Sequence, residues 1–326
     1  MTHPLYCTQR VNLPAAVFRR GRFVFSSNED LTRAITTDCA AKERLPASWL
    51  RGITESFFAT IFPSECRLCN SFLTNISRLP VCIDCLRSMR PMEGSFCAVC
   101  GERLQRGFES APFAPAGLFT AEEGRLCGGC RTAIPYYSTA SAYGSYETGL
   151  RDMIHLLKYD RVRPAASVLG SLLANVIARM TPAFGAKAIL VVPVPLYSSK
   201  LRERGFNQAE LVARAAIKRQ PDGKRFILRA ELLKRRRATE SQIGLTQNQR
   251  KENLRGAFVV TNPGMVASRE ILLVDDVLTT GTTVSECARV LRRAGATEVW
   301  VATVARTLKK SGQAITDFAS VPASVA

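Results

Sequence analysis

An apolar run that ends in two acidic residues and a loop of threonine and glycine is the segment with the clearest chemistry. Residues 271–274 are four apolar residues, Asp275 and Asp276 follow, and residues 279–283 form the threonine loop. We call Asp275 and Asp276 the acidic pair. An apolar run of this kind is typical of a buried strand, and ligands bind at the carboxyl ends of strands in open α/β sheets.

The composition of the threonine loop favours a phosphate ligand. Glycine lets a ligand approach the backbone, and hydroxyl groups with the amides of a helix start favour a phosphate monoester. An ordinary capped turn between a strand and a helix has no use for two consecutive carboxylates. The acidic pair beside such a loop therefore suits a ligand that carries both a phosphate and either a diol or a cation.

Cysteine pairs predict a metal-binding module ahead of this segment. The chain has 11 cysteines, and eight of them form four C-x-x-C pairs between residues 66 and 130. Each pair presents two thiolates to one metal ion, and tetrahedral Zn²⁺ takes four. Grouping the pairs in sequence gives two such sites, and interleaved grouping is also compatible with the sequence. The predicted ligands are Cys66, Cys69, Cys82, Cys85, Cys97, Cys100, Cys127 and Cys130.

A structural role for about two zinc ions follows from the closed four-thiolate sites. A loop-rich module of this size has too little core to fold unaided, so the metal supplies folding free energy. Redox chemistry is the rival interpretation, but it favours a single C-x-x-C motif beside a βαβ unit. No secretory leader is recognised, so we expect a reducing, cytoplasmic setting in which thiols bind metal.

The second half of the chain alternates strand-like apolar runs with amphipathic helices. This alternation predicts a parallel sheet with right-handed crossovers. Strands are predicted at residues 188–194, 271–274 and 299–304, and helices with an apolar face at residues 150–157, 169–176, 209–216 and 284–291.

Residues 271–283 resemble the phosphoribosyl pyrophosphate (PRPP) binding motif of type I phosphoribosyltransferases. The resemblance implies that Asp275 and Asp276 hold the ribose 2′- and 3′-hydroxyls and that the threonine loop holds the 5′-phosphate. It also implies Mg²⁺ on the pyrophosphate and ribose oxygens. The corresponding loop residues here are Thr279, Thr280, Gly281, Thr282 and Thr283.

Four further segments are VPVPL at 192–196, RGFNQ at 204–208, LKY at 157–159 and Arg237-x-Thr239-x-x-Gln242-x-x-Leu245. Together with the cysteine pairs ahead of the sheet, they resemble the ComF (competence protein F) family, and the likeness extends over about residues 49–310. It implies a type I phosphoribosyltransferase-like parallel sheet flanked by helices, with an N-terminal cysteine-rich zinc ribbon module. The implied role is in DNA uptake for natural transformation, with single-stranded DNA and proteins of the uptake machinery as partners.

Basic residues near the predicted strand ends are candidates for catalysis. Arg202 and Arg204 follow the strand that ends near residues 192–196, where a pyrophosphate leaving group needs neutralisation. A solvated basic turn is the alternative for both. Lys158 ends a helix, where it either favours the helix C-terminus electrostatically or reaches the site. The family resemblance favours the second role for Lys158.

A net charge of +18 favours a polyanionic partner. Residues 224–255 hold ten basic and three acidic residues, most densely at Lys234, Arg235, Arg236 and Arg237. A mobile lid over the site, a DNA-contact surface and a solvated loop all remain open for this segment.

No apolar run approaches the roughly 20 residues that span a membrane.

The predicted organisation has four parts. They are a disordered extension at 1–47, a double zinc ribbon at 48–135, a phosphoribosyltransferase-like domain at 136–310 and a disordered tail at 311–326. The leading interpretation is a ComF-family protein that binds PRPP with Mg²⁺ and acts in DNA uptake, with pentosyl transfer from PRPP as the expected chemistry. The alternatives are a metabolic phosphoribosyltransferase with another acceptor and a non-catalytic regulator that senses PRPP while binding nucleic acid.

Overall fold

The structure is a computed structural model, and part of the chain is described in it. The predicted extension at 1–47, the predicted tail at 311–326 and residues 238–246 of the basic segment at 224–255 lie outside the described residues. No described helix has the length and apolar character to cross a membrane. The described residues are 65–73, 78–104, 125–185, 187–237 and 247–308.

Seven strands are present in the described chain. They are β1 (Thr139–Ser145), β2 (Ile189–Pro193), β3 (Phe226–Leu228), β4 (Leu233–Arg235), β5 (Phe258–Val260), β6 (Glu270–Leu278) and β7 (Glu298–Arg306). Five of them form a parallel sheet in the order β1–β7–β6–β2–β3, while β4 and β5 form a separate antiparallel pair. The predicted parallel α/β sheet is therefore confirmed.

Nine α-helices accompany these strands in the described residues. The predicted inward faces of the third, fourth, sixth and ninth are buried, because their apolar residues recur with the helical period. The helices are α1 (Ile83–Arg87), α2 (Gly128–Thr132), α3 (Thr148–Lys158), α4 (Ala165–Met180), α5 (Ser198–Arg204), α6 (Gln208–Ile217), α7 (Gln247–Leu254), α8 (Pro263–Val266) and α9 (Thr282–Arg293).

The strand that carries the acidic pair is longer than its sequence predicts. Val274 pairs with Pro193, the last residue of β2, and the sequence analysis ends β6 at this point. Pairing with β7 nevertheless continues, from Asp275 opposite Thr303 to Leu278 opposite Arg306. The acidic pair thus lies inside β6, on the part of the strand that extends beyond β2.

The cysteines form two groups, which we call the first and second cysteine tetrads. The second tetrad is not separate from the sheet, because Cys97, Cys100 and Cys130 share one hydrophobic core with Leu273 and Leu278 of β6. The first tetrad is Cys66, Cys69, Cys82 and Cys85, and the second is Cys97, Cys100, Cys127 and Cys130.

A buried ion pair joins the second tetrad to the sheet. Arg306, at the end of β7, places Nη2 2.9 Å from Oε2 of Glu102, and both side chains are buried. The same guanidinium donates to the backbone carbonyl of Cys100. At the start of β1, the amide of Ala140 donates to the carbonyl of Val99 over 2.7 Å. The ribbon segment therefore packs against β1, the edge strand of the sheet.

Replacing Arg306 by methionine should destabilise the protein strongly. The change leaves the Glu102 carboxylate buried without its cation, which costs about 3–5 kcal/mol of unfolding free energy. Arg151→Met is the matched control, because its ion pair with Asp152 is exposed and contributes less than about 1 kcal/mol. Denaturant unfolding of the zinc-loaded protein measures both, and equal losses would contradict the structural role of Arg306.

Candidate functional site

A buried ion pair connects the acidic pair to the end of α3. Nζ of Lys158 lies 2.7 Å from Oδ2 of Asp276, and the two side chains are 15% and 5% exposed. Burial opposes the charged form of Lys158, but Asp276 and then Asp275 outweigh it and raise the pKa of the lysine. The side chain of Lys158 therefore reaches the acidic pair, and its role in binding a ligand there stays a prediction.

Asp275 has a different environment from its neighbour. Its side chain keeps partial exposure, and its Oδ1 accepts a hydrogen bond of 2.9 Å from the amide of Asp276. Burial, followed by the nearby charge of Asp276, raises the pKa of Asp275 to about 8. A cation bound beside it would favour the ionised form. Because Asp275 is partly exposed and Asp276 is buried in its ion pair with Lys158, Asp275 is the more accessible carboxylate of the acidic pair.

The threonine loop opens α9 with the geometry of an anion-binding turn. Gly281 is the N-cap residue and has a φ of 75°, which is the left-handed region that glycine adopts without strain. Thr279 and Thr280 are exposed, and the hydroxyls of Thr280 and Thr282 lie 2.9 Å apart. The first-turn amides of a helix have no intrahelical acceptors, so this end attracts an anion.

The segment after the second tetrad supports the threonine loop. A Cβ at Gly281 would lie 3.1 Å from the hydroxyl oxygen of Tyr137, so the buried tyrosine packs directly against the loop. The amide of Tyr136 donates to Oγ of Ser285 in the first turn of α9. At the other end of the loop, the amide of Thr307 donates to the carbonyl of Leu278. The loop is therefore held by the segment that follows the ribbon and by the residue that follows β7.

The predicted pyrophosphate-binding residues lie on a short helix, α5. Arg202 is exposed. Arg204 donates to the side chain of Gln208 over 3.0 Å and lies over the ring of Tyr159. The contacts of Arg204 are with Gln208 and Tyr159, and a role for Arg202 and Arg204 at the pyrophosphate stays a prediction. Asn207 joins this region to the sheet, because its side-chain amide donates to the carbonyl of Val194.

Arg235 is a candidate site residue that the sequence analysis assigned to the basic cluster. Successive residues of β4 point to opposite faces, so Lys234 and Arg236 are exposed while Arg235 turns inward over the ring of Phe258. Burial lowers the pKa of Arg235, and the nearby Asp275 acts in the opposite sense. The two-residue strand period was the signal that could have separated Arg235 from its neighbours.

Both cysteine tetrads have the geometry of zinc sites. The sulfur atoms within each tetrad lie within 4.8 Å of one another, and the pairs group in sequence. The Cys66–Cys85 and Cys100–Cys127 sulfurs are 3.8 and 3.5 Å apart. A tetrahedron with Zn–S bonds of about 2.3 Å has edges of about 3.8 Å. Four thiolates close each site, so the zinc is structural.

Comparison with known proteins gives the family. Residues 57–131 match the double zinc ribbon domain family, and residues 201–321 match the phosphoribosyl transferase domain family. The DNA utilization protein YhgH of Escherichia coli K12 is 33% identical over 215 residues, which cover 65% of this chain and 90% of the relative. This chain belongs to the ComF family.

Two more distant relatives carry competence names. Competence protein F of Haemophilus influenzae is 28% identical over 228 residues, which cover 69% of this chain and 96% of the relative. Competence protein ComFC of Streptococcus pneumoniae is 25% identical over 239 residues, which cover 72% and 96%. This chain has a zinc ribbon module ahead of a phosphoribosyltransferase-like sheet, and both competence-named relatives match it over nearly their whole length.

Purified protein should contain about two zinc ions per chain, because each tetrad supplies four thiolates. Cys69→Ser and Cys97→Ser should each lower the content to about one. Cys97→Ser should also destabilise the sheet, because Cys97 belongs to the shared core whereas Cys69 is exposed. Elemental analysis with thermal unfolding measures both effects.

Cys7→Ser is the control for these two substitutions, because Cys7 belongs to no C-x-x-C pair. We expect it to leave the zinc content unchanged. A zinc content near zero in protein purified without chelator would contradict the assignment of both tetrads.

Proposed function

We propose that this protein binds PRPP with Mg²⁺ at the acidic pair and the threonine loop, and that it acts in DNA uptake. The observation that carries the proposal is one continuous segment, β6 to α9, in which two carboxylates precede a glycine-capped helix start. A ligand with a ribose diol next to a 5′-phosphate matches that order of groups. The resemblance of this segment to the PRPP motif supports the same ligand.

Each part of the site has a role in this proposal. The amides and hydroxyls of the threonine loop hold the 5′-phosphate, and Asp275 accepts hydrogen bonds from the ribose hydroxyls. Lys158 forms an ion pair with Asp276 and holds its carboxylate in a fixed orientation. Mg²⁺ neutralises pyrophosphate charge when it is bound, and the carboxylate and hydroxyl oxygens here are the donors that it prefers.

The chemistry asked of these residues is positioning and charge stabilisation. Loss of pyrophosphate from C1 of the ribose develops oxocarbenium character, which the carboxylates beside the ring stabilise. The protein must also orient the acceptor and exclude water. Release of pyrophosphate from PRPP, assayed with a panel of acceptors, separates a transferase from a protein that only senses PRPP.

A role in DNA uptake is supported by the names of the relatives, which refer to DNA utilization and to competence. The positive charge of the chain suits contact with single-stranded DNA. Lys234 on β4 and Arg236, the residue after β4, are exposed and are the proposed phosphate contacts. Eight thiolates suited to zinc fit the reducing cytoplasm, where the incoming strand and the uptake proteins would be met.

Asp275→Asn should weaken PRPP binding at least tenfold, which is about 1.4 kcal/mol. The substitution removes an anionic acceptor for the ribose hydroxyls while the buried Lys158–Asp276 pair stays intact. Asp152→Asn is the matched control, because Asp152 lies partly exposed on α3 in an ion pair with Arg151. Calorimetry with PRPP and Mg²⁺ measures the three proteins, and equal binding by all of them would sink the assignment of Asp275.

Lys234→Ala combined with Arg236→Ala should flatten the salt dependence of single-stranded DNA binding. Each phosphate contact on a single strand contributes about −0.7 to the slope of log affinity against log salt, so the expected change is about 1.4. The matched control is Arg214→Ala combined with Lys218→Ala, which removes the same charge from two exposed residues near the end of α6. Anisotropy of a labelled oligonucleotide gives the slopes, and equal slopes for both double variants would remove β4 from the DNA surface.

A further inference from the structure

An exposed aromatic ring lies one residue away from the buried lysine of the site. Tyr159 is 63% exposed and directly follows Lys158. Two contacts orient its ring. The Arg204 guanidinium lies 5.5 Å from the ring centre, and the His155 ring packs edge-on with a centre-to-centre distance of 5.1 Å. The backbone is also fixed, since the Tyr159 amide donates to the carbonyl of His155.

Tyr159 differs from the other arginine-paired rings of the described chain. Arg163 lies over Phe206 and Arg235 lies over Phe258, and both of these phenyl rings are buried. Tyr159 is the arginine-paired ring that solvent can reach among the described residues. A scattered exposed aromatic residue is ordinary, but a ring that is oriented by a cation and accessible is suited to stacking.

Basic side chains surround this ring on two segments. Arg161 and Arg163 follow Tyr159, and Lys200 and Arg202 lie on α5, all of them exposed. Arg161 donates to the backbone carbonyl of Glu203, which joins the two segments. The acidic residues nearby are Asp160 and Glu203, and Lys200 pairs with Glu203 over 2.8 Å. The patch therefore keeps an excess of positive charge.

We propose that this patch, the Tyr159 surface, binds single-stranded DNA by stacking a base on the Tyr159 ring. The surface comprises Tyr159, Arg161, Arg202 and Arg204, and its arginines contact the flanking phosphates. Proteins that bind single strands combine an aromatic platform with a basic track in this way, because every base has a π-face and every linkage a charge. Since Lys158 adjoins Tyr159, the strand lies beside the proposed PRPP site. The inference rests on the proposed contact with DNA and names its location.

The test uses anisotropy of labelled oligo-dT and of an abasic oligonucleotide of the same length, with the full zinc-loaded chain. Tyr159→Ala should weaken oligo-dT binding at least about fivefold, the lower end of the loss for one stacked base. Tyr159→Leu should behave in the same way, because it keeps apolar volume but no ring. Tyr159→Phe is the matched control, and it should bind within about twofold of the unchanged protein because stacking needs the ring and not the hydroxyl.

Two further readouts separate stacking from a structural effect. The salt slope should stay unchanged in Tyr159→Ala, because no phosphate contact is removed. Binding of the abasic strand should be the same for Tyr159→Ala and the unchanged protein, because there is no base to stack. PRPP affinity by calorimetry should also be retained in all three variants.

Each contrary result has a distinct meaning. Failure of the unchanged protein to bind oligo-dT at low salt would overturn the proposed DNA contact, whereas PRPP calorimetry tests the ligand site separately. Unaltered oligo-dT affinity in Tyr159→Ala and Tyr159→Leu would overturn the Tyr159 surface while leaving DNA binding in place. Equal loss in Tyr159→Phe and Tyr159→Ala, or loss of PRPP affinity together with DNA affinity, would also overturn base stacking at this position.

Discussion

An ion pair between a largely buried lysine and a buried aspartate joins the end of α3 to the strand that carries the acidic pair. Neither Lys158 nor Asp276 can lose its partner without leaving a charge in the interior, so the end of α3 is held against the extended part of β6. In this arrangement Asp275 keeps partial exposure, and Tyr159, the residue after Lys158, lies on the surface. The proposed ligand site and the proposed DNA surface therefore share one anchor.

The zinc ribbons contribute to the site as well as to the N-terminal module. Tyr137 packs against Gly281, and the second tetrad shares its core with Leu278, the last residue before the threonine loop. Arg306 closes the connection through its buried pair with Glu102. A metal that stabilises the second tetrad thus stabilises the core beneath the threonine loop, whereas the described cysteines of the first tetrad lie outside this shared core.

The sequence predicted the features that depend on local spacing. The C-x-x-C pairs, the inward helix faces and the strand before the acidic pair all follow from periodicity or motif, and the structure contains them. The sequential grouping of the cysteines and the contact between Lys158 and Asp276 depend on where distant segments meet, which spacing does not encode. The full length of β6 depends on its pairing with β7, because β2 has already ended.

The inward turn of Arg235 shows how a local rule can be hidden by composition. Four consecutive basic residues suggest one charged surface, but the strand period divides them between two faces. Arg204 is a similar case, because helix α5 directs it toward Gln208 and Tyr159. The chemistry of both residues is set by the element that carries them.

A crystal structure of the protein with PRPP and Mg²⁺ would test the central claim most directly. The account predicts the 5′-phosphate within hydrogen-bonding distance of the amides at Gly281, Thr282 and Thr283, with ribose hydroxyls on Asp275. The Lys158–Asp276 pair should remain in place in the complex. Electron density for PRPP elsewhere on the chain, or an empty threonine loop at saturating PRPP, would contradict the account.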